Sequence, residues 1–218
     1  MDLELRKKWL TQQKELFGNS IYVDNLIHDN DNIVDLESFH QQIKDCQKCS
    51  LGSKRTNFVF GIGNPDADFV FVGEAPGKEE DLKGEPFVGQ AGDLLNKILA
   101  AINLNRDDVF ILNVLKCRPP QNRNPEPDDV EQCEPYLKTQ IQLINPKLII
   151  ALGKVAAQTL LKINLPLNKM REQTFRYEGI DVLVTYHPAA LLRNPELKRP
   201  TWEDFKKIKS NYILEQIS

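Results

Sequence analysis

Four short apolar runs recur along the chain: "DFVFVG", "DVFILNV", "KLIIALG" and "DVLVTYHP". Each is rich in Val, Ile, Leu or Phe and apolar on both faces, as a strand buried on both sides should be. Between them the apolar positions take helical spacing over 90–101, 126–144 and 153–162. Strand and helix in alternation predict an α/β fold, a single domain with a four-stranded parallel sheet flanked by helices. Ile33, Leu36, Phe39 and Ile43 lie three and four residues apart and predict a further helix before the first strand. "REQTFRYEGIDVLVT" predicts a hairpin leading into the last strand. A closing helix is expected after Pro200, with Thr201 as its N-cap. Residues 1–32 carry one helical stretch ended by the polar "HDNDN" and are set apart as an N-terminal extension, which leaves 33–218 as the main domain.

Ligands of parallel α/β sheets bind beyond the carboxyl ends of the strands. That rule selects three loops: 73–89, 113–125 and 186–195. The first spends about fifteen residues of glycine, proline and acid around one aromatic, Phe87, where about two to six residues normally suffice. Its glycines let backbone approach a flat ligand. Phe87 is either a stacking platform or a residue packed under the loop. The loop lacks a Gly-Lys-Ser/Thr ending and the G-x-G-x-x-G fingerprint. The second loop begins at Asn113, whose amide offers an acceptor and two donors in one plane and can read the edge of a base; a lone Asn is more often a cap. The third begins at His187, a donor for an anionic leaving group or a structural turn residue.

Composition adds little to this picture: 218 residues, 41% hydrophobic and 27% charged, are ordinary for a globular protein. The net charge of −3 gives no support for a nucleic-acid partner, which needs only a local basic face. Lys54-Arg55, the set Lys116, Arg118 and Arg123, and the group from Arg193 to Lys209 supply such faces, though a solvated surface explains each alone. "MDLELRKKWLTQQKELF" has no apolar signal region, and no uncharged run approaches the ~20 residues of a membrane helix. A cytoplasmic protein without membrane contact is therefore expected, and its cysteines are not expected to form structural disulfides. All four fall in spaced pairs: Cys46 and Cys49 as C-x-x-C, then Cys117 and Cys133. Two thiols from a C-x-x-C and two distant ones suit a soft metal centre. Zinc and an iron–sulfur cluster both accept four thiolates, and spacing leaves both open.

GEAPG with its downstream PFVGQAG, the segment NVLKCRPP-x-NRNP and the stretch HPAALLRNP together resemble the family-four uracil-DNA glycosylases. The resemblance covers residues from about 35 to 210. It implies a 4Fe–4S cluster held by Cys46, Cys49, Cys117 and Cys133, and uracil-containing DNA as the partner of a monomer. The implied reaction is hydrolysis of the uracil–deoxyribose bond, the first step of base excision repair. Phe87 would stack on the flipped base and Asn113 would pair with its edge, with Gly73 and Ala75 lining the pocket. His187 would stabilise the departing uracil, Leu191 or Leu192 would wedge into the duplex, and Arg193 and Arg118 would contact phosphate.

The best-known uracil-DNA glycosylases carry G-Q-D-P-Y-H in the first loop. On Gly73–Lys78, Ala75 falls at the Asp position and Gly77 at the Tyr position. Neither role carries over by that route; Glu74 is the candidate to orient the water and Glu80 to fill the space near uracil C5, with no motif behind either, and the water-activating residue stays open. A related branch that captures uracil-DNA covalently has a histidine-bearing insert, and none is evident between Leu82 and Gly89. Two rival readings are a non-catalytic iron–sulfur protein that binds DNA and a binding module stabilised by zinc.

Overall fold

The computed structural model describes residues 35–213. The chain divides into two compact units, 1–42 and 43–218. The expected extension over 1–32 lies outside the described residues, as does Ile33. Helix α1 (Leu36–Ile43) starts where Asp35 Oδ1 accepts the Ser38 N–H at 2.8 Å, the satisfied donor that an N-cap requires.

The second unit runs β1 (Ile62–Gly63), β2 (Phe69–Gly73), α2 (Lys78–Lys83), α3 (Gln90–Ala101), β3 (Phe110–Asn113), α4 (Pro127–Ile144) and β4 (Leu148–Leu152). It continues with α5 (Lys154–Leu161), α6 (Leu167–Arg171), β5 (Phe175–Tyr177), β6 (Ile180–Thr185), α7 (Pro188–Arg193) and α8 (Lys198–Ile208). The sheet order is β1-β3-β2-β4-β6-β5. The four expected strands pair in parallel, and β1 and β5 close the two edges antiparallel. The sheet is thus mixed and six-stranded rather than four-stranded. Two residues of β1 are too few to show a pattern, whereas β5 is the first arm of the expected hairpin.

Every residue of β2, β3 and β4 is buried, as continuous apolar runs under two helical layers require. Phe69 and Phe71, two apart and so on one face, share a core with Ile111, Ile150 and Leu152, with Leu95 and Leu99 of α3, and with Phe205 and Ile208 of α8. The Phe71 and Phe205 rings stack 6.2 Å apart. Chain order reverses across the sheet: β2 leads to β3 on one side, and β4 then lies on the other side of β2. Loops leaving the carboxyl ends there run in opposite directions and open a crevice.

Two local expectations are corrected. The first long loop contains α2, whose six residues "KEEDLK" show no apolar period. Its ends are set by Gly77, by Glu80 and by Gly84 in a left-handed C-cap. The closing helix starts at Lys198 rather than after Pro200. Pro200 is tolerated because the first turn needs no N–H from it. Thr201 is inside the helix, its hydroxyl donating back to the Leu197 carbonyl at 2.8 Å.

Candidate active site

Gly73 ends β2 and Asn113 ends β3, and the two are direct partners across the parallel pair. A Cβ on Gly73 would lie 2.2 Å from Asn113 Oδ1 and 2.8 Å from Phe87 Cε2 and Cζ. Glycine at 73 is therefore what lets the amide and the ring meet behind the strand. The Phe87 ring also faces His187, centroids 5.3 Å apart at 27°. The structure thus brings together Gly73, Phe87, Asn113 and His187 from three separate loops. Helix α3, which follows the first loop, packs against α7, which carries the third.

Asn113 is 2% exposed, and its Oδ1 is buried with no hydrogen-bond partner among the described residues. An unmet buried acceptor costs on the order of 1–3 kcal/mol, and a donor on a bound ligand removes that cost. His187 caps α7, its Nδ1 accepting the Ala189 N–H at 3.1 Å. With Nδ1 an acceptor, the ring proton of the neutral imidazole sits on Nε2, which is left as a donor. Burial, aided by the Arg193 charge, lowers the His187 pKa to about 4. Burial also raises the Glu74 carboxyl above its ordinary value, just beyond Gly73.

Phe87 has φ of 53°, a left-handed backbone that costs a residue with a side chain roughly 1–2 kcal/mol. Its surroundings hold it there. Glu80 Oε2 accepts from Gly77 N–H at 3.1 Å, and Oε1 from Val88 and Gly89 N–H at 3.1 and 3.3 Å. Both carboxylate oxygens of Glu80 are thus spent on the loop backbone. A Cβ on Gly92 would lie 1.8 Å from the Phe87 carbonyl oxygen, so the first turn of α3 abuts the same residue.

Leu191 and Leu192 separate clearly. Leu191 is 2% exposed and belongs to the core, whereas Leu192 is 44% exposed. Arg193 is exposed beside it. Arg118 Nε donates to Asn122 Oδ1 at 2.8 Å, and Arg123 pairs with Asp129 at 2.7 Å. Lys116 leaves the basic surface altogether, because it is fully buried.

The four cysteines form a second centre in the same unit. Cys46 and Cys49 lie in the turns after α1, Cys117 lies beyond β3, and Cys133 is in α4. Cys46 and Cys49 act electrostatically on Cys117, and Cys117 and Cys49 act on Cys133. Burial raises the Cys117 pKa and pushes Cys133 up to about 12. Among the described residues, no three His, Cys, Asp or Glu side chains close on a single ion. The groups around the thiols nevertheless suit anionic sulfur. Arg55 Nη1 approaches Cys117 Sγ at 3.3 Å, and the Tyr136 hydroxyl donates to Cys46 Sγ at 3.2 Å. Burial lowers the Lys116 pKa to about 7, against the smaller opposing influence of Cys133 and Cys117, and its Nζ donates to the Asn113 carbonyl at 2.7 Å. A fully buried ammonium needs a counter-charge.

Sequence reasoning named Arg55 only as part of a basic face, and missed Tyr136 and the buried setting of Lys116. Only Lys116 carried a signal, an isolated cation between Leu115 and Cys117 at the end of an apolar run.

Residues 60–206 of the chain match the uracil DNA glycosylase superfamily. The type-4 uracil-DNA glycosylase of Archaeoglobus fulgidus is 46% identical over 181 residues, 79% of this chain and 91% of that protein. Those of Sulfurisphaera tokodaii and Saccharolobus solfataricus are 46% and 45% identical over 183 residues, 80% of this chain and 83% and 85% of those proteins. The chain belongs to the type-4 uracil-DNA glycosylases of that superfamily.

Proposed function

We propose that this protein hydrolyses the N-glycosidic bond of uracil in DNA, leaving an abasic site for base excision repair. The observation that carries the chemistry is the buried, unpartnered Asn113 Oδ1 beside the Phe87 ring. A base inside a duplex must be flipped out to reach such a pocket, at a cost of a few kcal/mol. Uracil N3–H then donates to Asn113 Oδ1, and the Asn113 amide N–H donates to uracil O4. Cytosine presents the opposite pattern at both atoms, so admitting it leaves buried groups unpaired. Phe87 stacks on the base, and Gly73 and Ala75 let the backbone close around it.

As the bond breaks, negative charge develops on uracil and positive charge on the sugar. His187 Nε2–H donates to O2 as that charge grows, which is preorganised electrostatic stabilisation. Glu74, its carboxyl desolvated at the strand end, orients the attacking water. Glu80 orders the loop that carries Phe87, so its part in uracil binding is indirect. Leu192 fills the gap left by the flipped base, as apolar wedges do. Arg193 and Arg118 contact phosphates.

Cys46, Cys49, Cys117 and Cys133 hold the 4Fe–4S cluster, which when bound clamps the segment after β3 to the turns after α1. Arg55, Lys116 and Tyr136 complement its charge. No helix among the described residues is long and apolar enough to cross a membrane, and four cysteines outside any disulfide suit a reducing cytoplasm.

Asn113→Asp tests the base reading. A protonated carboxyl offers the donor–acceptor order that cytosine needs, so this variant should excise cytosine measurably while uracil excision falls. Unchanged uracil selectivity would remove Asn113 from the reading role.

A further inference from the structure

We infer that Arg106 is a positioning residue for the stacking aromatic, holding Phe87 in its strained backbone conformation from outside the pocket. The inference rests on the proposed stacking of Phe87 against uracil and names what keeps that ring in place.

Arg106 lies in the short turn Arg106–Asp108 that precedes β3. Its guanidinium reaches back across the fold to the first loop. Nη2 donates to the Pro86 carbonyl at 2.8 Å, Nη1 donates to the Phe87 carbonyl at 3.1 Å, and Nη1 also meets Asn96 Oδ1 at 3.2 Å. Two successive carbonyls are thus read by one planar fork, which a lysine ammonium cannot span in the same way. Asn96 lies in α3, whose Gly92 also abuts the Phe87 carbonyl.

Phe87 is the residue in this loop that most needs such a hold. With φ of 53°, its backbone sits in a region that residues with side chains occupy only when their surroundings over-determine it. Glu80 fixes the loop at Gly77, Val88 and Gly89; it grips the Phe87–Val88 peptide by its N–H, while Arg106 holds the carbonyl of that peptide and the carbonyl of Pro86 before it. Releasing the two carbonyls lets the backbone relax toward negative φ. That relaxation swings the ring away from Gly73, Asn113 and His187 together, because Phe87 touches all three regions.

The test uses the full chain carrying its cluster, with Arg106→Ala, Arg106→Lys, Phe87→Ala and the double variant Arg106→Ala/Phe87→Ala. Single-turnover excision from a uracil oligonucleotide should fall about 10- to 100-fold in Arg106→Ala, the scale of a misplaced catalytic contact. Arg106→Lys should lie between that variant and the wild type. The double variant should be no slower than Phe87→Ala, since both changes remove one stacking contact. A second readout is independent of turnover. The chain has 3 histidines, and the His187 ring protons, assigned with His187→Gln, should shift in Arg106→Ala in the same direction as in Phe87→Ala. Wild-type excision in Arg106→Ala, or losses that add in the double variant, would overturn the inference. So would an unchanged His187 signal. No uracil release by the wild type, together with the predicted His187 shift in Arg106→Ala, would sink the proposed function and leave the positioning role standing.

Discussion

Replacing Gly73 by alanine adds one methyl group at the point where the base-reading amide and the aromatic ring converge. The backbone there tolerates any residue, because Gly73 is extended in β2 and its φ is not positive. The effect is therefore steric. The new Cβ would stand 2.2 Å from Asn113 Oδ1 and 2.8 Å from two Phe87 carbons. The amide oxygen has to retreat by about 0.8 Å to restore even a 3.0 Å separation, and the ring must move as well. Overpacking of this kind costs about 1–3 kcal/mol of stability. A displacement approaching 1 Å at a reacting group costs about 100-fold in rate. The expected result is a folded protein with a lowered melting temperature and single-turnover excision down by about two orders of magnitude. Gly89→Ala is the matched control: its Cβ meets Glu80 and Glu79 atoms at 3.7 Å or more, so its rate should stay within about 2-fold of wild type. Gly73→Ala excising uracil as fast as Gly89→Ala would refute the claim that Gly73, Asn113 and Phe87 form one pocket.

Other expectations follow from the same geometry. His187, with its pKa lowered to about 4 from 6.5, binds fewer protons folded than unfolded between those values. Stability should therefore fall as pH drops through that window, by about 2–3 kcal/mol for a partly exposed ring, and His187→Gln should flatten that slope in melts from pH 7 to 4. If the neutral ring is the working form, His187 should impose no acid limb on excision near pH 6.5; a limb there that disappears in His187→Gln would contradict it. Cys117→Ala should lose most of its bound iron and visible absorbance and melt lower, and a fully loaded variant would remove Cys117 from the ligand set. Leu192→Ala should slow excision from duplex more than from single-stranded DNA at unchanged melting temperature. Leu191→Ala should lower the melting temperature by an amount worth about 2–4 kcal/mol.

The central strands and long helices were legible because burial on both faces leaves an unbroken apolar run, and because α3, α4 and α5 each span two or more turns. The helix over 90–101 has the bounds its apolar spacing predicts. Edge strand β1 and helix α2 were not legible: β1 is two residues long, and α2 is a charged helix defined by backbone caps at Gly77 and Gly84. Asn113 ends a strand, His187 lies just past one, and Phe87 is the one large aromatic of a long polar loop, so all three could be picked out. Their supports could not. Arg106 and Glu80 act through backbone atoms 19–20 and 8–9 residues away along the chain. Asp81 holds α2 by accepting the Thr56 and Asn57 N–H groups at 2.9 and 3.3 Å. None of these contacts leaves a periodic mark in sequence. Lys116 reads as part of a basic patch until its burial is known.

The most direct test of the account is alkali-induced strand scission of a labelled oligonucleotide carrying one uracil, with thymine-only and cytosine-only controls and a denaturing protein gel of the same samples. Scission confined to the uracil strand, with no protein–DNA adduct, is the predicted result. An intact uracil strand, or an adduct in place of a free abasic site, would contradict it.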